Sequence, residues 1–150
     1  MEVDDELYTL LRWNAQRPWN LCAPAAIGID PVPAEGLAGT HLEGYSTKLT
    51  PTSPPQISPP PVRVRVTDQF GSIEADTDKA FRMLVPTNKS TTGYPPVPTD
   101  LNSHLCYTIK LTQAFTQITG VRLTDQFTDH KLYNLAQPYN LCVPASVVLP

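Results

Sequence analysis

The side chains with the most chemical potential here are aspartates, cysteines and histidines, and each set has a spacing to explain. Asp5, Asp68 and Asp125 stand at matching places in three related segments. Those segments read Val3-Asp-Asp-Glu-Leu7, Val64-Arg-Val-Thr-Asp-Gln-Phe70 and Val121-Arg-Leu-Thr-Asp-Gln-Phe127. Paired carboxylates can run general acid and base chemistry when their environments drive their protonation apart. A catalytic group, however, is needed once per active site and beside its partners. An aspartate placed alike in every copy is more simply a strand-end residue that accepts backbone N–H bonds and holds a turn. That is the expectation for Asp5, Asp68 and Asp125, with Phe70 and Phe127 as core aromatics.

The three cysteines are Cys22, Cys106 and Cys142. Cys106 opens a segment, Ser103-His-Leu-Cys-Tyr-Thr-Ile-Lys110, and Cys142 closes one, Tyr139-Asn-Leu-Cys-Val-Pro144. In the preceding copy both sites differ together, reading Gly44 and Leu84. Joint presence in one copy and joint loss in another are what a Cys106–Cys142 bond predicts. Cys22 then has no partner in its own segment, leaving it unpaired or intermolecular. Such usage fits an oxidising compartment; the alternative is three reduced, buried cysteines. Neither Cys106 nor Cys142 has a second Cys or His at ligand spacing, so no zinc site is expected, and no other metal or cofactor. His41 and His104 read as equivalents of one another, and His130 stands alone beside Asp129. No phosphate loop, nucleophile elbow or His-Glu-x-x-His pattern occurs.

The elements that must position these residues are set by an internal repeat. Trp13-Asn-Ala-Gln-Arg-Pro-Trp-Asn-Leu-Cys-Ala-Pro-Ala25 aligns without gaps on Tyr133-Asn-Leu-Ala-Gln-Pro-Tyr-Asn-Leu-Cys-Val-Pro-Ala145. Phe81-Arg-Met-Leu-Val-Pro86 is the middle version of this closing segment. His41-Leu-Glu-Gly-Tyr-Ser-Thr-Lys48 matches the opening segment that begins at Ser103. The chain therefore divides into an incomplete unit over 1–30, a second over 31–98 with flanking linkers and a proline-rich insertion, and a third over 99–150. Repetition at this length suits small β units strung in tandem.

Val62-Arg-Val-Arg-Val66 and Cys106-Tyr-Thr-Ile-Lys-Leu111 alternate with period two, the mark of half-buried strands. Further strands are predicted over Phe115–Leu123, Lys131–Leu135, Tyr139–Val143 and Ser146–Leu149. Seventeen prolines against seven glycines punctuate them, favouring short strands joined by stiff turns. The fold class is all-β, an antiparallel sandwich or barrel in each tandem unit. Pro51–Pro61 alone would be polyproline II, either a ligand for an aromatic groove or a stiff surface loop. Trp13 and Trp19 would stack on sugar rings if they faced water, or pack in the core if not. Asn88-Lys-Ser90 fits a glycan-attachment sequon.

A net charge of −3 argues against nucleic-acid binding driven by phosphate neutralisation. No apolar run approaches the length of a membrane span. Met1–Glu6 is acidic, so no secretory leader is visible there.

The opening pattern ending at Lys110, Thr-Asp-Gln-Phe127 and Leu-Cys-Val-Pro144 resembles an uncharacterised β-rich repeat domain of bacterial secreted and cell-surface proteins. That family reads His-Leu-x-Cys-Tyr-x-x-Lys, then Asp-Gln-Phe-Gly, then Leu-Cys-x-Pro with a following lysine. The match is best over 101–146. Gln69-Phe-Gly71 and Pro86-Thr-Asn-Lys89 fit the middle copy, whereas Glu6-Leu7 replaces Gln-Phe in the first. The resemblance implies an extracellular or cell-surface β module without an assigned activity, and the acidic start then suggests a processed piece.

A first unit lacking its opening strand should expose a sheet edge, which another copy could complete by strand addition. Ala145-Ser-Val-Val-Leu149 is the expected donor. The function these readings imply is a structural, non-enzymatic protein that self-associates head to tail, as a filament or surface-layer subunit. The alternative is a non-catalytic carbohydrate-binding or adhesion module.

Overall fold

A computed structural model describes residues 2–5, 7, 11–23, 25–27, 41–90, 92–99, 101–125, 127 and 131–148. The described residues hold ten strands and no helix: β1 (Glu2–Asp5), β2 (Leu11–Cys22), β3 (Ala25–Ile27), β4 (His41–Leu49), β5 (Arg63–Asp68), β6 (Gly71–Thr87), β7 (Ser103–Leu111), β8 (Ile118–Asp125), β9 (Lys131–Leu135) and β10 (Asn140–Val148). All pairings are antiparallel.

The larger sheet runs β4-β2-β1-β10-β7-β6-β5, and β4 also pairs with β6. Its pairings thus return to their start through β1, β2, β4, β6, β7 and β10, as in a barrel, which removes most free edges. A smaller sheet runs β3-β8-β9. Strands from the three sequence segments interleave: β2 lies on β4, β6 on β7, and β1 on β10.

Inside sit Trp13, Met83, Leu105, Tyr107, Val143 and Ala145, with Leu11, Leu49, Val85 and Leu141 packed around them. They come from β2, β6, β7 and β10, so closure of the sheet and burial of the core are one event. Leu105 and Tyr107 point inward from β7, as two-residue alternation requires.

The registers have a consistent pattern. Within β4 and β6, Leu42, Gly44 and Ser46 face Pro86, Leu84 and Arg82. Within β7 and β10, His104, Cys106 and Thr108 face Pro144, Cys142 and Asn140. Between β2 and β4, Trp13, Pro18 and Cys22 face Leu49, Tyr45 and Leu42. Between β6 and β7, Ala75, Ala80 and Leu84 face Leu111, Tyr107 and His104. The bulges flank Pro18 in one pair and Ala80 in the other. These registers set Leu42, not His41, opposite Pro86 as His104 lies opposite Pro144, so the expected His41–His104 equivalence is corrected by one position.

The expected donor segment is also corrected. Ala145–Val148 already pairs with β1 of the same chain, and Ala145 is flanked by Asp5 on one edge and Ser103 on the other. The proline-rich stretch is a surface loop without strand, held by the Gln56 side chain. Gln56 Oε1 accepts from Arg12 N at 2.8 Å, while its Nε2 donates to Arg12 O at 3.1 Å and Thr50 O at 2.8 Å.

Candidate functional site

The three aspartates end three different strands and do not converge. Each carboxyl accepts from the backbone N–H two residues on: Asp5 from Leu7 at 2.8 Å, Asp68 from Phe70 at 2.7 Å, Asp125 from Phe127 at 2.7 Å. These are Asx turns. Asp5 also accepts from the buried Tyr107 hydroxyl at 2.5 Å. Gly71 completes the Asp68 hairpin at φ 133°, a conformation that costs a side-chain-bearing residue dearly. Phe70 and Phe127 are exposed, so the expectation of core aromatics is corrected: each turn carries its ring outward.

Cys106 and Cys142 are bonded to each other across facing register positions. Cys22 is a half-buried free thiol. Asn20 Nδ2 donates to Cys22 Sγ at 3.1 Å and Asn140 Nδ2 to Cys142 Sγ at 3.2 Å, so the two Asn-Leu-Cys segments make the same local contact. His41 is buried, its Nε2 2.8 Å from Lys89 Nζ, and His104 is half-buried in β7. His130 lies outside the described residues. Among the described residues no three His, Cys, Asp or Glu side chains gather as a metal site.

Trp13 is 3% exposed in the core, the packing alternative of the two, and offers no stacking surface. Trp19 is 61% exposed, with the Arg17 guanidinium 5.1 Å from its ring centroid. Asn88 Nδ2 donates to Pro96 O at 3.0 Å, so the atom that would carry a glycan is engaged.

Two surface features remain. The first is a cleft of about 810 Å³ between the β5–β6 turn, the β7–β8 loop and residues 134–138. Phe70, Phe115, Gln113, Gln117 and Gln137 line it, and Asp68, committed to its turn, is its one ionisable side chain among the described residues. Such a lining offers apolar contact and amide hydrogen bonds but no acid–base pair.

The second is a strand edge. β2 pairs with β1 and β4, and β6 with β4, β5 and β7; along Trp13–Cys22 and Ala75–Leu84 one side is taken by the next strand of the opening type, β4 or β7. On β9 and β10, the corresponding side of Tyr133–Cys142 carries no strand among the described residues. At one matched place exposure differs with the neighbour. Trp13 and Ala75, which face Leu49 and Leu111, are 3% and 0% exposed, whereas Tyr133 at the matching place is 41% exposed. Leu132 and Tyr139 are exposed beside it. β2 and β6 run unbroken through the positions that match 136–139, where the third closing segment is interrupted between β9 and β10.

Sequence reasoning placed an incomplete edge on the first unit, where β2 beyond Arg12 carries no strand among the described residues on the side away from β4, and missed this second one. The legible signal was motif order, since an opening segment follows the first closing segment and again the second. The exposed aromatics of Leu132–Tyr139 carried no such label, because alternation marks a strand without naming its neighbour.

No family model, curated protein or solved structure matches the chain.

Proposed function

We propose that the chain is a structural, non-enzymatic protein built of tandem β units. In this reading it works outside the cell or at its surface and self-associates head to tail into a filament or layer. The carrying observation is the shared register: the two earlier closing strands are laid against the next opening strand in one way, and the last closing edge carries no strand among the described residues, with Tyr133 and Tyr139 exposed along it. An edge of that kind is ordinarily blunted by charge or cover; here Tyr133 and Tyr139 stand along it instead. The Cys106–Cys142 bond suits an oxidising location, and the motif resemblance to secreted repeat domains points the same way. None of the described helix-free structure contains a helix long and apolar enough to cross a membrane.

The test is light scattering across a concentration series, followed by electron microscopy of the concentrated sample. Ordered assemblies growing with concentration are expected, and a strict monomer at the highest concentration overturns self-association.

A second reading, a neutral carbohydrate-binding or adhesion module, is favoured by the cleft at Phe70 and Phe115 with its three glutamines. Isothermal titration with neutral oligosaccharides tests it: saturable binding lost in Phe70→Ala is expected under this reading, and absence of heat at millimolar sugar removes it.

A further inference from the structure

We infer that the open edge Tyr133–Cys142 is a docking site for one more strand of the opening type, supplied by a further unit of the same kind. The inference rests on the tandem-repeat reading and adds the occupant, its direction and its register. Three observations converge on it. First, the same edge is filled in both earlier closing strands, and with identical pairing: Trp13 and Ala75 face Leu49 and Leu111, Pro18 and Ala80 face Tyr45 and Tyr107, Cys22 and Leu84 face Leu42 and His104. Secondly, the one closing segment without that neighbour is the one whose strand is broken, at 136–139. Thirdly, the side chain that the neighbour covers elsewhere is exposed here, at Tyr133.

Backbone pairing provides the attraction and alternate side chains the selectivity, as in strand addition generally. The incoming strand runs antiparallel to residues 133–142. Its tyrosine falls opposite Pro138, the leucine that ends the opening pattern opposite Tyr133, and its lysine opposite Asn134, as Lys48 faces Asn14 and Lys110 faces Asp76. Continuous pairing then bridges 136–139 and joins β9 to β10. At the far end the site stops at β1, which holds the same edge of β10 from Ala145 onward.

The experiment adds a synthetic peptide of the β4 sequence, His41–Leu49, to the intact 150-residue chain and follows amide hydrogen exchange residue by residue. The expected result is saturable slowing of exchange by at least about tenfold confined to 133–142, with a scrambled peptide inert. Tyr133→Asp and Tyr139→Asp should each abolish the effect, while Trp19→Asp, on another strand, leaves it unchanged. Peptide that does not slow exchange there at millimolar concentration overturns the inference. So does peptide that protects β2 instead, or that exchanges with the chain's own β4. Light scattering of the same samples separates the two proposals: peptide docking on a monomer supports the site while removing self-association, and assemblies without peptide docking do the reverse.

Discussion

At the residue scale the chemistry-bearing side chains serve as fasteners. Asp68 is the plainest case, its carboxyl closing a turn over Phe70 N at the hairpin where Gly71 supplies positive φ. Asp68→Ala removes one hydrogen bond at an exposed site, so a loss of about 0.5–1.5 kcal/mol is expected in urea unfolding. Asp68→Asn, which keeps an acceptor oxygen, should restore most of it; equal losses in both variants would show that charge and not the turn bond matters. The cysteines divide by the same logic. The Cys106–Cys142 bond spans a sequence separation of 36, and the chain-entropy model assigns about 3–4 kcal/mol to a loop of that order. A maleimide probe should therefore label Cys22 alone in the oxidised protein. Cys106→Ala with Cys142→Ala should lower stability by roughly that amount, and a loss under about 1 kcal/mol would place the loop's restraint elsewhere, in packing.

At the element scale the β5–β6 hairpin carries the one cross-strand charge ladder among the described residues. Arg63 Nε lies 2.8 Å from Asp76 Oδ1 and Arg65 Nε 2.9 Å from Glu74 Oε2, with the register setting Arg63 opposite Asp76 and Arg65 opposite Glu74. The hydrogen bond from Arg65 holds the Glu74 carboxyl below its ordinary 4.5, and that from Arg63 holds Asp76 below 3.8. A carboxyl depressed in the folded state stabilises above its unfolded value and loses that contribution as pH falls through the folded one. Hairpin amides should accordingly exchange faster relative to β7 as pH drops below about 4, and added salt at neutral pH should do the same in smaller measure because the pairs face water. Exchange ratios flat with pH would remove the ladder as a stabiliser.

Much of this hairpin was legible. Val62-Arg-Val-Arg-Val66 predicts arginines outward and valines inward, and Arg63 and Arg65 are exposed while Val64 and Val66 are half-buried. Lys131–Leu135 was predicted as a strand and is β9. Tyr139–Val143 and Ser146–Leu149 were expected as two strands split at Pro144, yet β10 runs through it, with Pro144 facing His104. Pro18 is likewise inside β2, but at a bulge, where its missing donor disturbs the ladder least. Proline thus marked local irregularity and misled about strand ends. Partner choice was not legible from periodicity, which fixes which face a strand buries and says nothing of which strand lies beside it; the paired cysteines pointed to β7 beside β10.

At the scale of the whole molecule, closure depends on its shortest member of the ring. β1 has four residues and joins β2 on one side to β10 on the other, so it ties the beginning of the described chain to its end. Besides backbone pairing, a side-chain bond crosses to this strand from the core: Tyr107 OH donates to Asp5 across 102 positions of sequence. Tyr107 is buried at 1% exposure, and its ring packs with Trp13 and Leu105 irrespective of the hydroxyl. Tyr107→Phe therefore keeps the packing and deletes only the tie, at an expected cost of about 1–2 kcal/mol. The location of the loss matters more than its size. If β1 is the clasp, amides of β1 and of Ala145–Val148 should exchange through a low-energy local opening in the variant, while the β5–β6 hairpin keeps its wild-type protection. Uniform acceleration over every strand would instead mean that ring and core open together, and that closure is a consequence of packing among Met83, Leu105 and Val143 rather than of the strand that spans the gap.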